Sequence, residues 1–279
     1  IIVGLFTTPV YMNYFLDEQA LGIWFTLISM LNWILNFDLG IGNGLRNNIV
    51  LAIAKNDRIE IKKYISSGYI IIGIVSIIAI IAGNYFIGLV NWNIILKISE
   101  DIISNAILTK CVKILYIGVI IQFFLRLITS ILYALQKTIL PSLLSLISTI
   151  LLLLFMAVYK TSNIEDNLIS LAIANILTVN IPLIIATVYV FKNIFRDSIP
   201  NIKYFVKEYS LDIVKLGGMF FWIQFSLMVI GSTNQFLITQ FYGPEYVVDY
   251  QIYYKLFYLF ATLFSLITNP IWASVSNDW

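Results

Sequence analysis

Long apolar runs dominate the chain, and short polar stretches interrupt them at intervals of one membrane thickness. The hydrocarbon layer is about 30 Å thick, so a helix needs about 20 mostly apolar residues to cross it. Eight runs meet or approach that length: Ile1–Leu16, Leu21–Leu45, Ile65–Val90, Val112–Leu135, Ile139–Tyr159, Asn167–Phe191, Leu216–Gln240 and Tyr250–Trp272. They are continuous rather than alternating, which predicts helices and not the strands of a transmembrane barrel. The first run is short and already apolar at residue 1, and the chain ends a few residues after the eighth. The expectation is a piece of a longer protein, truncated at both ends.

The polar stretches divide by charge. The connections after the second, fourth and sixth runs, with their flanks, hold Arg46, Lys55, Arg58, Lys62, Lys63, Lys137, Lys192, Arg196, Lys203, Lys207 and Lys215. The others hold Lys97, Lys110, Lys113 and Lys160, together with the acidic pairs Asp17/Glu18, Glu100/Asp101 and Glu165/Asp166. Excess Lys and Arg marks cytoplasmic loops. All eight spans therefore agree on one orientation, with the N-terminus cytoplasmic. The segment 192–215 mixes Phe195, Ile199, Ile202, Phe205 and Val206 with Lys and Arg. That composition predicts a helix lying in the cytoplasmic interface, or else a solvated loop. It divides the chain into a six-helix half at 1–191, an amphipathic linker at 192–215, and the first two helices of a second half at 216–279.

Composition agrees and adds exclusions. Of 279 residues, 60% are apolar and 11% charged, against about 45–50% and about 25% in a soluble domain. The chain has no His, which excludes Ser-His-Asp and Cys-His catalysis and imidazole metal sites. One Cys permits neither an internal disulfide nor a thiolate zinc cage. A net charge of +2 gives no nucleic-acid footprint. The fold class is an all-α membrane protein, a polytopic helical bundle. The expectation is a non-enzyme with no resident metal.

With so few charges, each polar group inside a span carries information. In the second span Asn32, Asn36, Asn43 and Asn47 sit at i, i+4, i+11 and i+15. On one unbroken helix they fall within about 60° of each other, beside Arg46. Asp38 points elsewhere. Gly40, Gly42 and Gly44 recur every second residue, which is no helix-face pattern and predicts a flexible or locally unwound stretch. Close helix packing with satisfied amides is the other reading. In the fourth span Gln122, Arg126, Thr129 and Tyr133 sit at i, i+4, i+7 and i+11. Arg126 lies near mid-membrane, where a charge costs roughly 2.5–3.5 kcal/mol and needs an acid partner, water or an anionic ligand. Asp38 is the acid at similar depth, so a structural ion pair and a substrate role both stand. The seventh span carries Gln224, Asn234 and Gln235, and the eighth carries Lys255 among tyrosines.

The outer segment FLDEQALGIWFTL at 15–27 resembles YGPEYVVDYQIYYKL at 242–256, with Glu18 over Glu245. Two six-helix halves of the same orientation, a common transporter plan, give such an offset. The stretch LGIWFTLISMLNWILNFDLGIGNGLRN, the inner loop AIAKND after it, and ITNPIWASVSND near the end resemble the O-antigen and capsular polysaccharide flippases (Wzx-type). These form the polysaccharide branch of the multidrug/oligosaccharidyl-lipid/polysaccharide exporter superfamily. The resemblance implies twelve or more helices, of which eight are visible here, the second half being incomplete.

It also implies a task. Such a protein moves a polyprenyl-diphosphate-linked oligosaccharide across a bacterial inner membrane by alternating access, from the cytoplasmic leaflet to the outer one. A sugar and diphosphate head cannot cross hydrocarbon unaided and needs a wet, cationic path. The residues expected on that path are Arg46, Arg126 and Lys255 for the diphosphate, and Asn32, Asn36, Asn43, Gln122, Asn234 and Gln235 for sugar hydroxyls. Asp38 is the expected carrier of a coupling ion, proton or sodium, and no other cofactor is implied. Membrane lipid and other polysaccharide-assembly proteins are the expected partners. A multidrug/cation antiporter of the same superfamily and a membrane enzyme of polysaccharide assembly are the competing readings.

Overall fold

The computed structural model describes residues 2–15, 17–36 and 40–277. Among them it contains helices and no strand. The helices are α1 (Ile2–Phe15), α2 (Glu18–Asn36), α3 (Ile41–Ala54), α4 (Arg58–Leu89), α5 (Trp92–Leu96), α6 (Asn105–Leu125), α7 (Leu127–Ala134), α8 (Ile139–Val158), α9 (Ile164–Asn193), α10 (Lys207–Ser232), α11 (Asn234–Phe241) and α12 (Glu245–Asn277). Several begin on side chains that accept orphan amide protons. Asp17 takes Ala20 N–H at 2.7 Å, Asp57 takes Glu60 N–H at 2.9 Å, and Asn163 takes Glu165 N–H at 2.8 Å.

Four helical stretches among the described residues are long and apolar enough to cross a membrane: Arg58–Leu89, Asn105–Ala134, Ile139–Val158 and Ile164–Asn193. Other expected spans consist of two helices each. The second is α2 and α3, and the seventh is α10 and α11, meeting at Thr233. The fourth tightens at Arg126, where Thr129 N–H bonds the Arg126 carbonyl at 2.9 Å, three residues back. Such i, i+3 turns inside a helix mark hinges.

The connections gather at two ends. At one end, Arg58 meets Asp197 at 3.7 Å, and Asn201 N–H and Val206 N–H each donate to a hydroxyl of α4, Ser66 and Ser67, at 3.1 Å. This is the basic end. The segment 192–215 does not form the expected interfacial helix there. Two 3-10 turns, Arg196–Ser198 and Ile202–Tyr204, flank Pro200, and α10 starts at Lys207. Pro200 opposes a continuous helix, and the serines of α4 satisfy the backbone groups that a helix would have paired internally. At the acidic end, Glu165 accepts from Ser104 N–H at 2.8 Å, Lys160 donates to Asn13, and Gln240 donates to Ile95.

The apolar core is likewise double. One cluster, around Trp24, Leu27, Leu108 and Leu168, joins α1, α2, α6 and α9 near the acidic end. The other, around Leu45, Ile65, Ile128 and Ile213, joins α3, α4, α7 and α10 near the basic end. The cavities open where these clusters give out.

Candidate functional site

The larger cavity has a volume of about 830 Å³, within the range of small-molecule sites. Its walls come from α1, the α6–α7 junction, α8, α9 and α12. Gln122, Arg126, Thr129 and Tyr133 all face it, as their spacing predicts, and Lys255 closes one side. Facing them is a row that sequence reasoning missed: Ser142, Ser145, Ser148 and Thr149 on α8, with Asn175 on α9. The three-residue spacing of Ser142, Ser145 and Ser148 along a run otherwise rich in Leu and Ile was the available signal. Ser148 and Thr149 donate back to carbonyls four residues earlier, at 2.9 and 3.0 Å, so their lone pairs stay open to the cavity.

A smaller cavity of about 130 Å³ adjoins the first and shares Arg126, Thr129 and Tyr133 with it. Gly42, Asn43 and Arg46 of α3 line it. Arg126 therefore stands between two spaces. Its guanidinium donates to the Leu35 carbonyl at 3.4 Å, and no carboxylate among the described residues pairs with it. Arg46 donates to Asn47 Oδ1 at 3.3 Å. Lys255 is held more firmly: its ammonium donates to Thr7 and Thr8 hydroxyls at 2.7 Å each and lies 5.8 Å from the centre of the Phe25 ring. Neither cavity is lined by an Asp or Glu among the described residues.

Other residues expected on the path lie elsewhere. Asn32 is exposed and lines neither cavity. Gly40, with φ of 67°, stands left-handed ahead of α3, so the helical phase does not run from Asn32 to Asn43. Asp38 and the side chains of Asn36 and Gln224 fall outside the described residues. Gly42 and Gly44 lie inside regular helix rather than in an unwound stretch. A Cβ at Gly40 would strike the Gly217 carbonyl of α10, and one at Gly44 the Ile213 carbonyl. These two glycines serve close helix approach. Asn234 donates to Tyr250 Oη at 2.9 Å, and Gln235 is buried, so both belong to the contact between helices rather than to a cavity.

That contact is a polar seam. Thr26 and Thr239 share a hydrogen bond at 2.7 Å. Ser29 and Trp33 both donate to the Ser232 carbonyl, next to the α10–α11 break. Gly22 lets α2 meet Pro244 backbone at the start of α12.

The chain superposes on a multidrug resistance MATE family transporter of the MOP superfamily, solved in an inward-facing conformation, with a TM-score of 0.75. The chain shares the helical fold of that structure. The match covers 92% of this chain at 15% identity, and the chain spans 57% of the length of that structure. Likeness at that identity is likeness of fold. No family model and no curated protein sequence matches the chain.

Proposed function

We propose that this chain is part of a MOP-fold transporter that flips a polyprenyl-diphosphate-linked oligosaccharide, as Wzx-type flippases do, from the inner to the outer leaflet of a bacterial inner membrane. One observation carries the reading: the cavities are lined by Arg46, Arg126 and Lys255 and, among the described residues, by no carboxylate. Guanidinium groups without a carboxylate partner in a membrane cavity favour an anion. The hydroxyls of α8 and the amides of Gln122 and Asn175 offer the donors and acceptors that sugars need. The prenyl tail stays in the bilayer while the head moves. In this reading residues 1–191 form one six-helix half, 192–215 the linker, and 216–279 the opening of a second half, and the halves rock about the cavity.

A multidrug/cation antiporter is the second reading, favoured by the likeness in fold to a multidrug resistance transporter. It calls for acidic residues facing the cavity, and Asp38 is the candidate, as carrier of a proton or sodium. A deletion strain separates the two. The flippase reading expects lost surface polysaccharide, accumulated lipid-linked repeat units and unchanged drug susceptibility. Intact polysaccharide with raised drug susceptibility overturns it.

A further inference from the structure

A third space lies on the outer face of α9 and faces away from the cavity. Asn175, Val179 and Leu183 look into the cavity. Ile173, Leu177, Ile181, Ile184, Ile185 and Val188 lie on the opposite face, between 45% and 63% exposed. On a helix of 3.6 residues per turn these six positions form one stripe, and Lys192 continues it past its last apolar member. There the stripe ends in a groove of about 530 Å³ at the basic end, lined by Val188, Phe191, Lys192, Asn193, Arg196 and Ile199.

The groove carries two charges, Lys192 and Arg196, that form no ion pair among the described residues. The ion pairs found among the described residues are Lys55–Glu60 at 3.3 Å and Arg58–Asp197 at 3.7 Å, and neither involves Lys192 or Arg196. Arg58 occupies Asp197, the acid adjacent to Arg196 in sequence. The lining contains no acid. An apolar track of about 22 Å, longer than one leaflet of about 15 Å, ends in paired cations where a spanning helix leaves the hydrocarbon, and so has the shape and charge of a phospholipid in negative image.

We propose that this groove binds one anionic phospholipid, with its phosphate against Lys192 and Arg196 and its acyl chains along the α9 stripe. The charge complementarity selects an anionic head over a zwitterionic one, whose cationic group would meet the same two side chains. Because the groove and the cavity lie on opposite faces of α9, the site is separate from the path proposed for the transported head.

The test is lipid binding by the whole protein in nanodiscs or detergent, read by native mass spectrometry and by thermal shift on adding phosphatidylglycerol, phosphatidylcholine or inorganic phosphate. The wild type is expected to retain phosphatidylglycerol in preference to phosphatidylcholine, and inorganic phosphate alone to leave its melting temperature unchanged. Lys192→Ala/Arg196→Ala is expected to weaken phosphatidylglycerol binding about thirtyfold, each cation near a membrane surface being worth about 1 kcal/mol. Lys203→Ala, at the same end but outside the groove, should bind like wild type. Val188→Trp fills the groove from its apolar side without changing charge, and it too should lose the lipid. Unchanged phosphatidylglycerol binding in the double variant overturns the proposal. So does a shift produced by inorganic phosphate alone and lost in that variant, which makes this a free-anion site.

Discussion

The seam where α2 and α3 meet α10–α12 and the cavity between α6–α7 and α8 are both polar regions within apolar helices, and they treat their polar groups in opposite ways. In the seam the polar groups bond to partners on neighbouring helices. Thr26 meets Thr239, Ser29 and Trp33 meet the Ser232 carbonyl, and Asn234 meets Tyr250. Glycines bring the backbones together, Gly22 against Pro244 and Gly44 against Ile213. In the cavity the hydroxyls of Ser148 and Thr149 turn back on their own helix, and Arg126 reaches only the Leu35 carbonyl among the described residues, at 3.4 Å. A polar residue in a span thus serves either to join helices or to line a space. Composition does not separate the two roles; the partner does.

The largest effect is expected at the seam's glycines. Gly44→Leu drives a side chain into the Ile213 carbonyl, and the backbone there has no flexible atom to yield. The cost is of order 3 kcal/mol or more. Thermal unfolding of the purified protein should show a large loss of stability, or no folded protein at all. Gly218, with open space around its Cβ position, supplies the control: Gly218→Ala should fold normally.

Next comes Arg126→Gln. It removes the charge while leaving a donor for the Leu35 carbonyl, so stability should stay near wild type. Transport should fall about tenfold or more, since a hydrogen bond to a charged group contributes roughly 1.5–3 kcal/mol. Rates in reconstituted vesicles, measured beside melting curves, check both halves of that statement.

A matched pair then sharpens the contrast. Thr26→Val breaks the 2.7 Å bond to Thr239 and should cost about 0.6 kcal/mol of stability, the average for interhelical hydrogen bonds in membranes. Ser145→Val, on the cavity wall, should leave stability unchanged and raise the substrate concentration needed for half-maximal transport. If the two variants behave alike, the division between seam and cavity is wrong. The smallest effect is expected for Asn32→Ala, which touches neither region and should be neutral in both assays.

The same distinction explains what is legible in the sequence. Spacing finds Gln122, Arg126, Thr129 and Tyr133 because the turn at Arg126 (φ −63°, ψ −17°) stays close enough to helical geometry to keep them on one face. The amide row from Asn32 to Asn47 fails because its periodicity assumes a continuous helix, whereas Gly40 takes φ of 67°. Alternate glycines announce that something unusual happens there. Whether they loosen the chain or admit a neighbour depends on α10, more than 160 residues away in sequence. The basic and acidic ends follow directly from charge pattern. The hydroxyl row of α8 stays hidden because serine and threonine are common in spans, where they often bond their own helix, and only the opposing Arg126 gives them a cavity to line. Sequence marks Lys255 as a cation near the outer surface, while its hold on Thr7 and Thr8 of α1 needs the fold.

The central claim is that Arg126 handles the anionic head of a lipid-linked sugar. Its most direct test uses proteoliposomes loaded with a fluorescent polyprenyl-diphosphate oligosaccharide, and follows quenching of the head by a membrane-impermeant reagent. Wild-type protein should translocate the lipid, Arg126→Lys should retain part of the rate, and Arg126→Gln should lose about nine-tenths of it or more while remaining folded. Equal rates for wild type and Arg126→Gln would contradict the claim.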